Sequence, residues 1–145
     1  MFELRPAREE DFPAIRNLIH SVGINPTGLD WRRFLLAVTP EDEMIGCGQI
    51  KPHQDGSREL ASIAVQKDWR GRGVASAIIE RLVAGSDGPL YLTCRASLGK
   101  FYQRFGFRHL KPDEMPPYFR RINQLASLAS GLHLFHEDLW VMKRG

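Results

Sequence analysis

Residues 62–83 read SIAVQKDWRGRGVASAIIERLV. An apolar strand-like run ends at Val65, Arg70-Gly71-Arg72-Gly73 follows, and an apolar pattern with helical spacing begins at Val74. A loop that turns straight into a helix leaves its first backbone N–H groups without intrahelical partners. Those donors, together with the positive end of the helix dipole, attract anions and above all phosphates. Glycine lets the backbone approach a ligand because no Cβ intervenes, and Arg70 and Arg72 add charge and forked donors. The stretch therefore suits capture of a phosphorylated ligand. The tetrapeptide alone would read as a turn with two solvated arginines; its place between strand and helix favours the cradle. A Walker loop is excluded, because no Gly-Lys-Ser/Thr occurs. A dinucleotide fingerprint fits poorly: Ser76 stands where its third glycine belongs, and no acidic residue follows about twenty positions on.

The elements that must position this loop follow from periodicity. Residues 2–5 form a strand ended by Pro6, and Phe12, Ile15, Leu18, Ile19 and Val22 share one helix face. Glu9, Glu10 and Asp11 suit the start of that helix, and Pro13 is tolerated in its first turn. The turn-rich loop 23–30 leads to strands at 33–39, 44–53 and 59–65, whose short connectors favour an antiparallel meander. Glycines inside the second of these, Gly46 and Gly48, point to a bulge or a close backbone approach. Val74, Ala75, Ile78, Ile79, Leu82 and Val83 make the next helix, and a strand at 90–94 follows. That order needs a crossover, so the flanking strands run parallel. A short helix at 98–104 stops at Gly106, a longer amphipathic helix starts at Pro116-Pro117, and a strand at 138–143 closes the chain.

At 145 residues, 43% hydrophobic and 26% charged, the chain reads as one globular domain with a core of its own. Cys47 and Cys94 lie in apolar runs without CxxC spacing, which predicts two buried thiols in a reducing compartment, with no disulfide and no zinc. The start, MFELRPAREEDF, lacks the apolar segment of a signal peptide, and no stretch is long enough to span a bilayer. A formal charge of +3 is compatible with an anionic ligand but too mild to argue for nucleic acid. The expected setting is cytoplasmic, with no membrane or nucleic-acid partner; homodimer formation is left open.

Arg70-x-x-Gly73-x-Ala75 resembles the R/Q-x-x-G-x-G/A signature of GNAT acetyltransferases. LRPAREEDFPAI is similar to the first strand and helix of that family, and FYQRFGF, at 101–107, to its Tyr-x-x-x-Gly-Phe segment. The resemblance spans nearly the whole chain. It implies an α/β acyltransferase fold with a mixed, splayed sheet flanked by helices, a single domain over 1–145, and acetyl-CoA as cosubstrate. The amides of Gly71, Arg72, Gly73, Val74 and Ala75 would hold the diphosphate, with Arg70 and Arg72 steering or pairing with phosphates. Pantetheine would pair with backbone groups of Ile63, Ala64 and Val65 on a bulged strand, with the Val65 N–H as oxyanion donor.

The resemblance also implies catalytic roles. Glu59 stands where histone-type members carry a glutamate base; the bland alternative pairs it with Arg58 or a cross-strand neighbour. Tyr102 stands where the family's tyrosine protonates the departing sulfur; the alternative is simple packing. Arg95 replaces an asparagine common in relatives, and Ser97 and Lys100 lie where they would touch the cosubstrate. The implied activity is acetyl transfer to a primary amine, chiefly of a small molecule, by direct attack in a ternary complex. Arg95, Arg120 and Arg121 lean toward an acceptor with a carboxylate. Rival readings are a protein N-terminal or lysine acetyltransferase, an acyl-CoA-binding module with little chemistry, and a nucleic-acid binder.

Other residues read more plainly. His133, His136 and Glu137 lack a ligand cluster, so no metal is expected. His20, His53 and His109 look isolated, and Trp31 and Trp140 look like core or interface residues. Trp69 flanks the glycine loop. Tyr118-Phe119 and the loop 23–31 are candidate walls of an acceptor cleft.

Overall fold

The computed structural model describes residues 1–131 and 137–145, without the side chains of residues 130 and 131. Seven strands form one sheet in the order β1-β2-β3-β4-β5-β7-β6, flanked by helices. The strands are β1 (Glu3–Pro6), β2 (Phe34–Val38), β3 (Met44–Pro52), β4 (Arg58–Val65), β5 (Leu90–Arg95), β6 (Arg108–His109) and β7 (Leu139–Arg144). The helices are α1 (Phe12–Val22), α2 (Val74–Ala84), α3 (Gly99–Gln103) and α4 (Pro117–Gly131). The chain divides into two compact units, residues 1–51 with 60–86, and residues 52–59 with 87–145.

In the first unit β2 and β3 pair antiparallel, as their short connector predicts, and β1 pairs antiparallel with β2 across the intervening α1. Every residue of β2 is buried, because helices cover both of its faces. Phe34, Leu36 and Val38 point to one side and meet Ile15, Leu18 and Ile19 of α1, with Met44, Cys47 and Ala64. Leu35 and Ala37 point to the other and meet Val74 and Ile78 of α2, with Ile45. Helix α1 carries Pro13 in its first turn and ends at Gly23, which is left-handed at φ 73°.

Gly46 and Gly48 are the close approach that the sequence suggests. A Cβ at Gly46 would lie 2.7 Å from Val74 Cγ1, and one at Gly48 would lie 2.6 Å from Ile63 Cδ1 and 2.8 Å from Ile78 Cγ2. Helix α2 can rest on β3 only because those two side chains are missing.

In the second unit β5 pairs with β7 antiparallel over its whole length, from Leu90↔Arg144 to Arg95↔Leu139. β4 joins β5 in parallel at Glu59↔Tyr91, as the crossover requires. β6, which sequence reasoning does not anticipate, is a two-residue strand on β7. Leu110, Met115, Phe119 and Val141 form one core cluster, with Tyr91 and Tyr118 packed against it. A Cβ at Gly99 would overlap the Trp140 ring, so α3 starts flush against β7.

Overpacking a filled core costs about 1–3 kcal/mol. Gly48→Ala is therefore expected to lower the unfolding free energy by about that amount in urea denaturation. An unchanged midpoint would show that α2 does not rest on β3 as described.

Candidate active site

The glycine loop lies in the first unit. β4 ends at Val65, a turn over Lys67–Trp69 follows, and its bonds run from Trp69 N to Gln66 O (2.9 Å) and from Arg70 N to Lys67 O (3.3 Å). Gly71 (φ 75°) and Gly73 (φ 81°) are both left-handed, and a Cβ on either would meet nothing within 4 Å. These glycines serve conformation rather than packing, and the space before them is open. Gly73 caps α2 without any side-chain bond. Among the described residues the amides of Gly71, Arg72 and Gly73 donate to no carbonyl. The loop thus presents consecutive free donors at the positive end of α2, which fits a diphosphate. The arginines are held locally: Arg72 lies over the Trp69 ring at 5.0 Å, and Arg70 Nε donates to Val65 O at 3.3 Å.

The strand leading into the loop is irregular. Ser62 adopts φ 60°, left-handed for a residue with a side chain. Gln49 Nε2 donates to its hydroxyl at 2.8 Å and Cys47 Sγ approaches its carbonyl at 3.5 Å, which hold the kink. After the kink, Gln66 N donates to Ile45 O at 2.8 Å. By strand alternation the N–H and C=O of Val65 point to the opposite edge, where Arg70 meets the carbonyl. Burial pushes the Cys47 thiol up to about 12.

In the second unit Glu59 is buried, and its Oε1 lies 2.8 Å from His53 Nε2. Its partner is thus His53, across the hairpin from it, and His53 is not isolated. The His53 ring stacks on Tyr118 at 3.6 Å and meets Phe119 edge-on at 5.6 Å. Asp55, in the turn between β3 and β4, accepts from the Tyr118 amide at 3.0 Å and so caps α4. Partial burial opposes its charge, but the bonds from Ser57 and Tyr118 hold the Asp55 carboxyl below the usual range. Burial, with the Glu59 charge behind it, raises the Tyr118 phenol.

Tyr102, in α3, meets Phe107 edge-on at 6.3 Å, and its hydroxyl has no partner among the described residues. Burial, assisted by Cys94, pushes the phenol up to about 12, so it is a protonated donor at neutral pH. Burial and the Glu137 charge push the Cys94 thiol up to about 11. Both cysteines are buried and free. The amide and hydroxyl of Ser97 are taken by Glu137, at 2.8 and 3.2 Å.

Arg95, Lys100 and Arg121 are exposed, while Arg120 donates to Met115 O at 3.2 Å. Trp31 packs against the α1 core, and Trp140 stacks on His109 at 4.0 Å. His133 and His136 lie outside the described residues, among which no cluster of metal-ligand type occurs. No helix among the described residues is long and apolar enough to cross a membrane. Sequence reasoning missed the His53–Glu59 pair, although both residues flank one tight turn. It also missed buried Lys51, whose Nζ donates to Thr27 O at 3.2 Å.

A phenol raised to about 12 should stay silent in ordinary alkaline titration. Wild type and Tyr102→Phe are expected to give the same tyrosinate absorbance between about pH 9 and 10.5. A full tyrosine's difference in that window would refute the buried, protonated phenol.

A family model for the acetyltransferase (GNAT) domain matches residues 30–109. No protein among the curated sequences matches. Among solved structures, the chain resembles N-acetylglutamate synthase from Neisseria gonorrhoeae, complexed with coenzyme A and N-acetyl-glutamate, at 18% identity and TM-score 0.73; 99% of this chain covers 35% of that one. It therefore spans about a third of that relative's length. Rv2747 from Mycobacterium tuberculosis, solved in complex with CoA, gives 20% identity and TM-score 0.71, with 98% of each chain covered. The ribosomal-protein-S18-alanine N-acetyltransferase from Escherichia coli gives 18% identity and TM-score 0.66, covering 99% of this chain and 93% of that one. With the domain match extending over more than half of its residues, the chain belongs to the GNAT acetyltransferase family.

Proposed function

We propose that the protein transfers an acetyl group from acetyl-CoA to the primary amine of a small molecule, by direct attack in a ternary complex. The observation that carries this reading is the run of unpaired amides from Gly71 into the first turn of α2. Those of Gly71, Arg72, Gly73, Val74 and Ala75 would hold the diphosphate, with Arg70 and Arg72 at its margin. Backbone groups of Ile63, Ala64 and Val65 would pair with pantetheine, and the Val65 N–H, on the edge of β4 away from β3, would meet the developing oxyanion. Acetyl-CoA supplies the acyl group activated as a thioester.

Tyr102 supplies a proton to the departing sulfur. Its phenol is protonated at neutral pH and carries no competing bond. The amine side needs a base, because an ammonium of pKa ~10 is deprotonated to about one part in a thousand at pH 7, worth about 4 kcal/mol. That base belongs to the Glu59 end of β4.

The acceptor we favour is an amino acid or a related carboxylate-bearing amine. Support comes from Lys51, a buried cation whose Nζ donates among the described residues to a carbonyl and to no carboxylate, and from the N-acetyl-glutamate in the first comparison structure. A protein N-terminus is the competing acceptor, supported by the alanine acetyltransferase among the structural neighbours.

Calorimetry with acetyl-CoA and CoA, followed by thiol release against amino acids, polyamines and peptides, tests this reading. Saturable binding competed by CoA, with turnover on an amino acid, is expected. Tyr102→Phe should lower kcat by ~10²-fold or more and leave acetyl-CoA affinity within about twofold. Binding without thiol release on any amine would make the protein an acyl-CoA-binding module; no binding would end the proposal.

A further inference from the structure

His53 and Glu59 sit on either side of the turn between β3 and β4, with side chains 9% and 11% exposed. With Glu59 as acceptor at 2.8 Å, Nε2 carries the hydrogen and Nδ1 keeps its lone pair. Nδ1 has no partner among the described residues, yet it is not sealed off: Gln49 Oε1 is the only buried side-chain atom there without a bond. Tyr118 and Phe119 fix the plane of the ring, and Asp55 fixes Tyr118 through its amide. This is an imidazole oriented by a carboxylate, with its second nitrogen free. A carboxylate so placed sets the tautomer and stabilises the imidazolium. It is also occupied by that bond. An ordinary imidazole, at pKa ~6.5, accepts a proton ~10²-fold more readily than an ordinary carboxylate at ~4.3.

We infer that His53 is the base that takes the proton from the acceptor ammonium and that Glu59 is its positioning residue, a role that rests on the acetyl-transfer reading. The ammonium gives one proton to Nδ1, while Nε2–H stays on Glu59. The freed amine nitrogen bonds to the acyl carbon, the C–S bond breaks, and its electron pair leaves on sulfur. Sulfur takes the Tyr102 proton, and the second proton lost from nitrogen restores the phenol. His53 returns its proton to water, so amide, thiol and one released proton balance the reaction. Charged and titratable groups around the ring are Glu59 from β4, Asp55 from the turn and the Tyr118 phenol from α4, on which Arg121 acts.

Nitrogen-detected NMR of the histidine rings tests the arrangement without any acceptor. His53 is expected as the Nε2–H tautomer, set by the Glu59 carboxylate that accepts from Nε2. The kinetic arm uses whichever amine in a panel of amino acids, polyamines and peptides releases thiol with wild type. The acid limb of kcat/KM should follow the protonation of His53 seen by the same NMR measurement. His53→Gln should lose ~10²-fold or more in kcat with acetyl-CoA affinity retained. If His53→Gln does not fold, the wild-type tautomer and the matching limb decide. An Nδ1–H tautomer, a limb that does not follow His53, or full activity in folded His53→Gln overturns the base while leaving acetyl transfer intact. No turnover by wild type on any amine overturns the transferase reading, and the base with it.

Discussion

The contact between α2 and β3 is the constraint on which the first unit depends. Helix and strand approach until a single methyl group at Gly46 or Gly48 would collide with Val74, Ile63 or Ile78. Val74 is the first residue of α2, so the contact that seats the helix also fixes where its free amides begin. The adjoining loop is held in place by backbone turns, by Arg70 on the Val65 carbonyl and by Arg72 over Trp69. Packing thus sets the direction of a row of donors whose own glycines touch nothing.

The second unit solves a different problem. Two ionisable side chains, His53 and Glu59, are nearly buried, and burial of charge is tolerated only with partners. They partner each other, and aromatic faces enclose them. Tyr102, elsewhere in this unit, is treated in the opposite way: its hydroxyl has no hydrogen-bond partner among the described residues, and burial, assisted by Cys94, keeps its proton on. One environment satisfies two polar groups against each other, and the other keeps a proton in place by desolvation.

The sequence makes most of this architecture legible, because helices and strands here bury periodic faces. Val74, Ile78 and Ile79 announce α2, and the glycines of β3 announce a close neighbour. β6 escapes because Arg108 and His109 carry no strand pattern, and their pairing with β7 is set by chain far away. The placing of β7 beside β5 is equally non-local. Ser62 escapes because nothing in SIAV marks a left-handed serine; Gln49 and Cys47, from the next strand, hold it. Glu59 is identifiable by its distance from the glycine loop, but its partner is not. His53 is six residues away, and only the geometry of the hairpin brings the rings and carboxylate together.

The bond from Asp55 to the Tyr118 amide joins residues 63 positions apart. Closing so long a loop carries an entropic cost that the turn at 53–57, made from neighbours, does not. In folding, the hairpin can therefore form early and by itself, while its docking on α4 waits until the intervening chain is in order. The histidine acquires its stacked, oriented state only at that late step, so a partly folded molecule holds the right residues without yet holding them still.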